Sequence, residues 1–200
     1  MHYPSFYESI EKIKLQDKLS EFLGAFENGL IEFSFLDVVK SAGHSCPTVL
    51  GAYLMTLEGL HALYPNEVPQ RGEIKVEFKD NSKEGVAGVI ATVISNITGA
   101  TQLQGFKGIA GNFDRRHLMF FEAQIQGNVK FTRRDTGKSV EVSYNPSVVA
   151  PDVNMPTLMQ KCISKTANED EQKEFGRLWQ LRVEAIYNNK EQVLSISSVE

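Results

Sequence analysis

The sequence predicts an α+β fold with a mainly antiparallel sheet. Three observations support this prediction: residues 85–97 carry apolar side chains at helical spacing, residues 73–79 alternate between apolar and polar side chains, and residues 135–138 form a turn typical of a β-hairpin. We expect a core domain over residues 1–150 that includes an amino-terminal helical segment. A proline-rich connector and a terminal amphipathic helix are expected over residues 151–200.

The amino-terminal segment is predicted to be helical. Apolar side chains between Phe6 and Phe26 fall largely at helical spacing. We therefore expect one helix or a pair of helices there, with a break near residues 15–17, serving as scaffold.

Two helices are predicted on either side of a short turn. Residues 35–41 indicate one or two helical turns that begin after Ser34 and end at Gly43. A longer helix over residues 48–64 follows and ends before Pro65, which cannot continue it.

The middle of the chain is predicted to contain a strand and then the clearest helix. Residues 73–79 place their apolar side chains on one face of a strand. The helix over residues 85–97 ends at Gly99, which can adopt the left-handed conformation of a helix end. Small residues line its neighbouring face, which could pack tightly within the fold or contact a second subunit. They are Ala87, Gly88, Ala91 and Ser95.

Strands return over residues 118–144, and the last segment is helical again. Three prolines within residues 145–156 predict an irregular connector. The helix that follows carries Trp179 on its apolar face, and this residue must be buried against the core or against a partner.

Composition excludes several classes of function. The net charge of −4 over 200 residues provides no basic field for nucleic acid, and no apolar run reaches the roughly 18 residues of a membrane span. The two cysteines, Cys46 and Cys162, are too few for a disulfide framework, and the first 14 residues do not resemble a signal peptide. We expect a soluble cytoplasmic protein with Cys162 free.

His44 and Cys46 are the first candidate site residues, as metal ligands or as catalytic groups. In an extended segment the side chains of positions i and i+2 project to the same side, so both can reach one point. The amino end of the following helix stabilises negative charge, which suits a metal-bound or nucleophilic thiolate. The alternative is a buried cysteine and a histidine bonded to backbone. His61 shares the apolar stripe of that helix and is expected to pack in the core.

The segment 99–117 is the second candidate site. It contains four glycines, which allow backbone N–H groups to approach a ligand. Lys107, Arg115 and Arg116 could hold the carboxylate or phosphate of a small anionic ligand. The alternative is a surface loop with solvated charges.

Three short motifs resemble the core domain of the FmdE-like family, which is named after a component of formylmethanofuran dehydrogenase. Gly43–Pro47, with Gly51 in the helix, is similar to the family's His-Gly-His-x-Cys-Pro-Gly motif, although Ala42 replaces its first histidine. Residues 98–101 resemble its Thr-Gly-Cys-Thr motif, with Ala100 in place of the cysteine. The segment 133–138 corresponds to its Arg-Arg-Asp-Thr-Gly-Lys turn. The family's carboxy-terminal zinc finger is missing.

The resemblance implies a site for a divalent transition metal, zinc above all, and an intertwined homodimer. The family cysteine at Ala100 implies that the start of the 99–117 loop lies close to the metal. Its loss directs attention to His117 and Asp114 as further ligands beside His44 and Cys46. Two functions stay open: an enzyme acting on a small anionic substrate, and an accessory protein that carries or senses a metal or cofactor fragment. No pterin motif or cluster cysteines support formylmethanofuran chemistry directly.

Overall fold

The computed structural model describes residues 2–199 and confirms the α+β fold with mainly antiparallel sheets. A two-stranded antiparallel sheet contains β1 and β2, and a five-stranded sheet has the order β4-β3-β5-β6-β7, in which only the β3–β4 pair is parallel. The strands are β1 (Ile13–Gln16), β2 (Leu30–Phe33), β3 (Ile74–Phe78), β4 (Met119–Phe120), β5 (Val129–Arg133), β6 (Ser139–Tyr144) and β7 (Leu194–Val199). The helices are α1 (Lys18–Phe22), α2 (Phe35–Ala42), α3 (Pro47–Leu63), α4 (Ala87–Thr98), α5 (Met155–Ile163), α6 (Glu169–Asn188) and α7 (Lys190–Val193).

Helix α3 is the centre of the core and packs on strands β5 and β6. A side chain at Gly59 would come within 2.8 Å of the Phe131 ring and 3.2 Å of Val142. The predicted inward face of β3, formed by Ile74, Val76 and Phe78, is buried in the same core. The absence of a side chain at Gly59 thus allows the helix to approach the sheet closely.

The predicted ends of α2 and α4 are confirmed. Ser34 and Asp37 form a reciprocal capping box at the start of α2, and Gly43 ends it with a φ of 76°. Helix α4 ends at Gly99, whose φ is 75°. Arg71 donates hydrogen bonds from Nε and Nη2 to the last carbonyls of α4, where a positive charge offsets the helix dipole.

The prediction of amino-terminal helices is wrong for most of residues 2–33. Ile13 and Leu15 are buried and their neighbours Lys12 and Lys14 are exposed, which is the alternation of a strand. The helix that does form, α1, is short, and the Asp17 carboxylate accepts from the backbone N–H groups of its first turn. The apolar residues after it do not form the buried face of a longer helix: Phe22, Leu23 and Phe26 are all more than half exposed.

The carboxy-terminal region contains the predicted α6 and also three elements that were missed. Helix α5 begins within the proline-rich connector, because Pro156 lies in its first turn, where no N–H donor is needed. Helix α7 and strand β7 follow α6, and β7 adds an edge strand to the sheet. Residues 194–197 alternate apolar side chains with serine, a strand pattern that the prediction of a terminal helix overlooked. Within residues 2–199 no helix has the length and hydrophobicity to span a bilayer.

The small-residue face of α4 is partly packed and partly open. Ala91 is buried, and a side chain at Gly88 would lie 2.8 Å from the Ser82 carbonyl oxygen, so Gly88 permits a close backbone approach. Ser95 and Thr92 line an open groove of about 320 Å³ on the same face. The groove leaves space at the surface beside α4.

Candidate functional site

Cys46 occupies the position at which α3 begins. Its backbone is extended, with φ −152° and ψ 168°, and its Sγ accepts a hydrogen bond from the Val49 N–H at 3.4 Å. Pro47 follows as the first helical residue, where its fixed φ suits the helix and its missing N–H costs nothing. The thiol therefore lies at the positive end of a 17-residue helix, a location that stabilises a thiolate.

His44 is exposed, and its ring orientation is fixed by one contact. The ring Nδ1 lies 3.0 Å from the carbonyl oxygen of Ala42. Because a carbonyl oxygen only accepts, Nδ1 carries the proton, and in the neutral ring Nε2 then holds the lone pair. A histidine that binds a metal has the same arrangement, with one nitrogen donating to a carbonyl and the other free for the metal.

The residue between them is anchored by α6. Ser45 is buried, whereas His44 is exposed and Cys46 is half-buried, as the alternation of an extended segment requires. Trp179 donates from Nε1 to the Ser45 carbonyl at 2.9 Å, and Gln180 donates to the same oxygen at 3.4 Å. The terminal helix thus packs on the His44–Cys46 segment of its own chain.

Tyr144, at the end of β6, is a neighbour of Cys46 that the sequence did not reveal. Its hydroxyl donates to the Pro47 carbonyl at 2.7 Å, and its ring fills the space over Gly51, where a side chain would lie only 2.2 Å away. Burial raises the pKa of Tyr144; the negative charge of Cys46 raises it further and the positive charge of Arg182 lowers it. Cys46 and Arg182 therefore each lie within electrostatic range of Tyr144. A glycine in an otherwise apolar helix was the available signal, but it does not say which ring covers it.

Arg182 was also missed, and it differs from the other arginines. It lies on α6 three residues after Trp179, and its Nε, like Nε and Nη1 of Arg115, is buried without a hydrogen-bond partner. Within residues 2–199 it forms no ion pair, whereas every other arginine has a carboxylate within 4 Å. The paired arginines are Arg71, Arg115, Arg116, Arg133, Arg134 and Arg177.

Arg115 points into the core instead of towards a ligand. It is 5% exposed, and its Nη2 lies 2.5 Å from Oδ1 of Asp17. Arg71 pairs with the other oxygen of that carboxylate at 2.9 Å. A side chain at Gly72 would overlap the Arg115 guanidinium, which leaves no room for a ligand on that side. The expected role of Arg115 in ligand binding does not fit this position.

The other predicted loop residues lie together, away from Cys46. Arg116 and Asp114 form a bidentate pair, and hydrogen bonds from Arg116 lower the pKa of Asp114 to about 2. Both line a polar cavity of about 490 Å³ with His117, which is exposed and has a φ of 57°. Neither His44 nor Cys46 lines this cavity. Lys107 is exposed on the same loop.

The four predicted metal ligands are thus divided between two places. Across residues 2–199, no group of three or more His, Cys, Asp or Glu side chains is arranged to hold a metal ion. Ala100, at the start of the loop, is fully buried in the core. His44 and Cys46 can supply two ligands, and zinc usually takes three or four from protein.

His61 and Cys162 are the two other residues whose environment was predicted. His61 is exposed, and its Nε2 lies 3.3 Å from Glu11, so the prediction that it packs in the core is wrong. His61 lies on the side of α3 next to the charged residues of the amino-terminal hairpin, and the sequence did not predict that hairpin. Cys162 has a free thiol, as predicted.

The fold and the site define a class of α+β protein in which a cysteine at the start of the central helix is held by the terminal helix. A family model named FmdE, described as molybdenum formylmethanofuran dehydrogenase operon, matches residues 42–195. The chain belongs to this family. The match begins two residues before His44 and extends through α6, so it includes both sides of the candidate site. Among curated proteins no match was found.

Proposed function

We propose that this FmdE-family chain binds a divalent transition metal, zinc, through Cys46 and His44. The observation that carries the proposal is the hydrogen bond from His44 Nδ1 to the Ala42 carbonyl, which leaves Nε2 free beside an extended residue leading to Cys46. In this tautomer Nε2 can bind zinc, and the start of α3 favours the thiolate form of the second ligand. The remaining positions are filled by water or by a second subunit, because Asp114 and His117 line a different cavity.

A metal held by two residues of this chain has open positions, and this suits more than one role. When bound, zinc polarises an oxygen ligand or lowers the pKa of bound water. The first role is an enzyme acting on a small anionic substrate, which the unpaired charge of Arg182 favours. The second is a non-catalytic accessory protein that carries or senses a metal or cofactor fragment. The separation of the loop cavity from Cys46 favours this second role.

Elemental analysis of purified protein tests the metal site. The wild type is expected to contain about one zinc ion per chain, and Cys46→Ser and His44→Ala are expected to lose most of it, since each removes one of two protein ligands. Cys162→Ser is the matched control, because it removes the other free thiol and leaves the site intact. Equal metal content in all four proteins would contradict the proposal.

A metal-free form of the proposal makes Cys46 a nucleophile. The thiol at the start of α3 should then react faster with a neutral alkylating reagent than Cys162, which lies in the last turn of α5. Peptide mass spectrometry after brief alkylation measures both rates in one sample. Equal rates would leave Cys46 with no special reactivity.

We also propose that the chain forms a homodimer. The open groove beside α4, where that helix presents small side chains, supports a close contact between subunits. Exchange of the α5–α6 arm between two copies would make the dimer intertwined, with each Trp179 bound to a partner's Ser45 carbonyl. Light scattering should give about twice the chain mass of 22.4 kDa. A stable monomer would mean that α6 packs only on its own chain.

A further inference from the structure

Arg182 has no carboxylate within 4 Å in the part of the chain that the structure describes, unlike the other arginines. Its Nε is buried and unpaired, although buried guanidinium groups normally have a hydrogen-bond partner. The contrast with Arg177, five residues earlier on the same helix, is direct, because Arg177 forms a bidentate pair with Glu174. A half-buried guanidinium without a carboxylate partner is a suitable place for an anion to bind.

Arg182 lies on the helix that contacts the Cys46 segment. Trp179, one helical turn earlier on α6, binds the carbonyl of the residue directly before Cys46. Tyr144 donates a hydrogen bond to the carbonyl of the residue directly after Cys46. The pKa of Tyr144 is raised by Cys46 and lowered by Arg182, so both groups act on it. The amino end of α3 adds its own positive potential at the same place.

We propose that Arg182 is the residue that recognises a small oxyanion, a carboxylate or phosphate, at the Cys46 site. A guanidinium can bind either group with two parallel hydrogen bonds. In this proposal Arg182 on α6, and not Arg115 or Arg116, binds the anionic group. This inference rests on the proposed functional site at Cys46 and not on the bound metal.

The test compares two reagents that differ only in charge. Full-length protein, stripped of metal with a chelator, is treated with iodoacetate or iodoacetamide, and the modification of Cys46 is followed by peptide mass spectrometry. Access to the thiol and its ionisation affect both rates equally, so the ratio of the two rate constants reports the local electrostatic potential. Arg182→Gln removes the charge, Arg182→Lys keeps it, and Arg177→Gln makes the same change in net charge elsewhere on the helix.

The iodoacetate to iodoacetamide ratio should fall about 3- to 10-fold in Arg182→Gln, as expected for loss of one charge at short range in a partly screened site. Arg182→Lys should retain most of the wild-type ratio, and Arg177→Gln should retain all of it. Inorganic phosphate should slow the iodoacetate reaction in the wild type and leave Arg182→Gln unaffected. An unchanged ratio in Arg182→Gln, or an equal fall in Arg177→Gln, would overturn the proposal.

A second measurement does not depend on the thiol. Trp179 is the single tryptophan, and it lies one turn from Arg182. Quenching of its fluorescence by iodide, relative to neutral acrylamide, should also fall in Arg182→Gln, and equal relative quenching would count against the proposal. Metal analysis separates the two hypotheses. Metal-free wild type with a reduced ratio in Arg182→Gln refutes only the zinc site, whereas metal lost in Cys46→Ser with an unchanged ratio refutes only the role of Arg182.

Discussion

The 99–117 loop and the His44–Cys46 segment use their charged and polar side chains in opposite ways. In the loop, Arg115 and Arg116 are both engaged by carboxylates of the same chain, Asp17 and Asp114. On α6, which packs on that segment, Arg182 has no carboxylate within 4 Å among the residues that the structure describes. Charge clustering in a sequence therefore identifies where cations are, and only the fold shows which of them remain available to a ligand.

The two regions also differ in what holds them in place. The loop is fastened by its own residues, since Thr101 donates from both its backbone N–H and its hydroxyl to the Arg115 carbonyl. The His44–Cys46 segment is held through backbone carbonyls, by Trp179 and Tyr144 from two other elements. That arrangement leaves the side chains of His44 and Cys46 free for chemistry.

Arg115→Ala provides the strongest test of this comparison. It should lower the free energy of unfolding by about 3 kcal/mol, near the lower end for breaking a buried ion pair, because Arg71 still pairs with Asp17. Arg116→Ala is the matched control and should change stability far less, since its pair with Asp114 is exposed to solvent. Urea unfolding measures both. Equal small losses would mean that Arg115 is not structural and would make it a ligand-binding candidate again.

Elements with a complete local signal were predictable. Helix α2 has a capping box and a terminal glycine, and the strand β3 has strict alternation, so both were located within one or two residues. The amino-terminal hairpin was misassigned because its apolar residues satisfy both periods over a short stretch, and only the pairing of β1 with β2 decides between them. Strand β7 depends on the exposed edge of β6, which local sequence cannot show.

Gly51→Ala tests the packing that holds the Cys46 region. The added methyl group would overlap the Tyr144 ring, so stability should fall by roughly 1–3 kcal/mol from overpacking. Gly176→Ala is the control: nothing lies within 4 Å of that position in α6, and alanine should stabilise the helix by roughly 0.5–1 kcal/mol. The urea midpoint should fall only in Gly51→Ala, and the alkylation rate of Cys46 should change only in that variant. A stabilised Gly51→Ala protein would show that the Tyr144 ring is not fixed over the helix.

The candidate site was only partly predictable. His44 and Cys46 follow from their spacing and from the helix that begins after them, and the structure keeps both at the start of α3. Tyr144 and Arg182 lie about a hundred residues or more further along the chain, and no local pattern distinguishes them. Adjacent arginines in a glycine-rich loop predict an anion site, but Arg115 instead pairs with Asp17, which is far away in the sequence.

The acid sensitivity of the fold provides the finest test of the contrast between buried and exposed pairs. Burial alone would raise the pKa of Asp17, but the hydrogen bond from Arg71 and the charge of Arg115 outweigh it, and the pKa is lowered. A carboxylate whose pKa is lowered in the folded state stabilises the fold fully above its unfolded pKa of about 3.9. This stabilisation is lost as the pH falls from that value through the lower pKa of the folded state. In wild type, the urea midpoint should therefore fall as the pH is lowered from about 5 towards 3.

Asp17→Asn should be less stable at neutral pH, and its urea midpoint should fall less steeply in acid. Asp114→Asn should reduce this steepness less than Asp17→Asn does at physiological salt, because the pair of Asp114 with Arg116 is partly exposed and screened, although the pKa of Asp114 is also lowered. The same steep slope in Asp17→Asn would place the acid-sensitive group elsewhere and remove the distinction between the two arginine pairs.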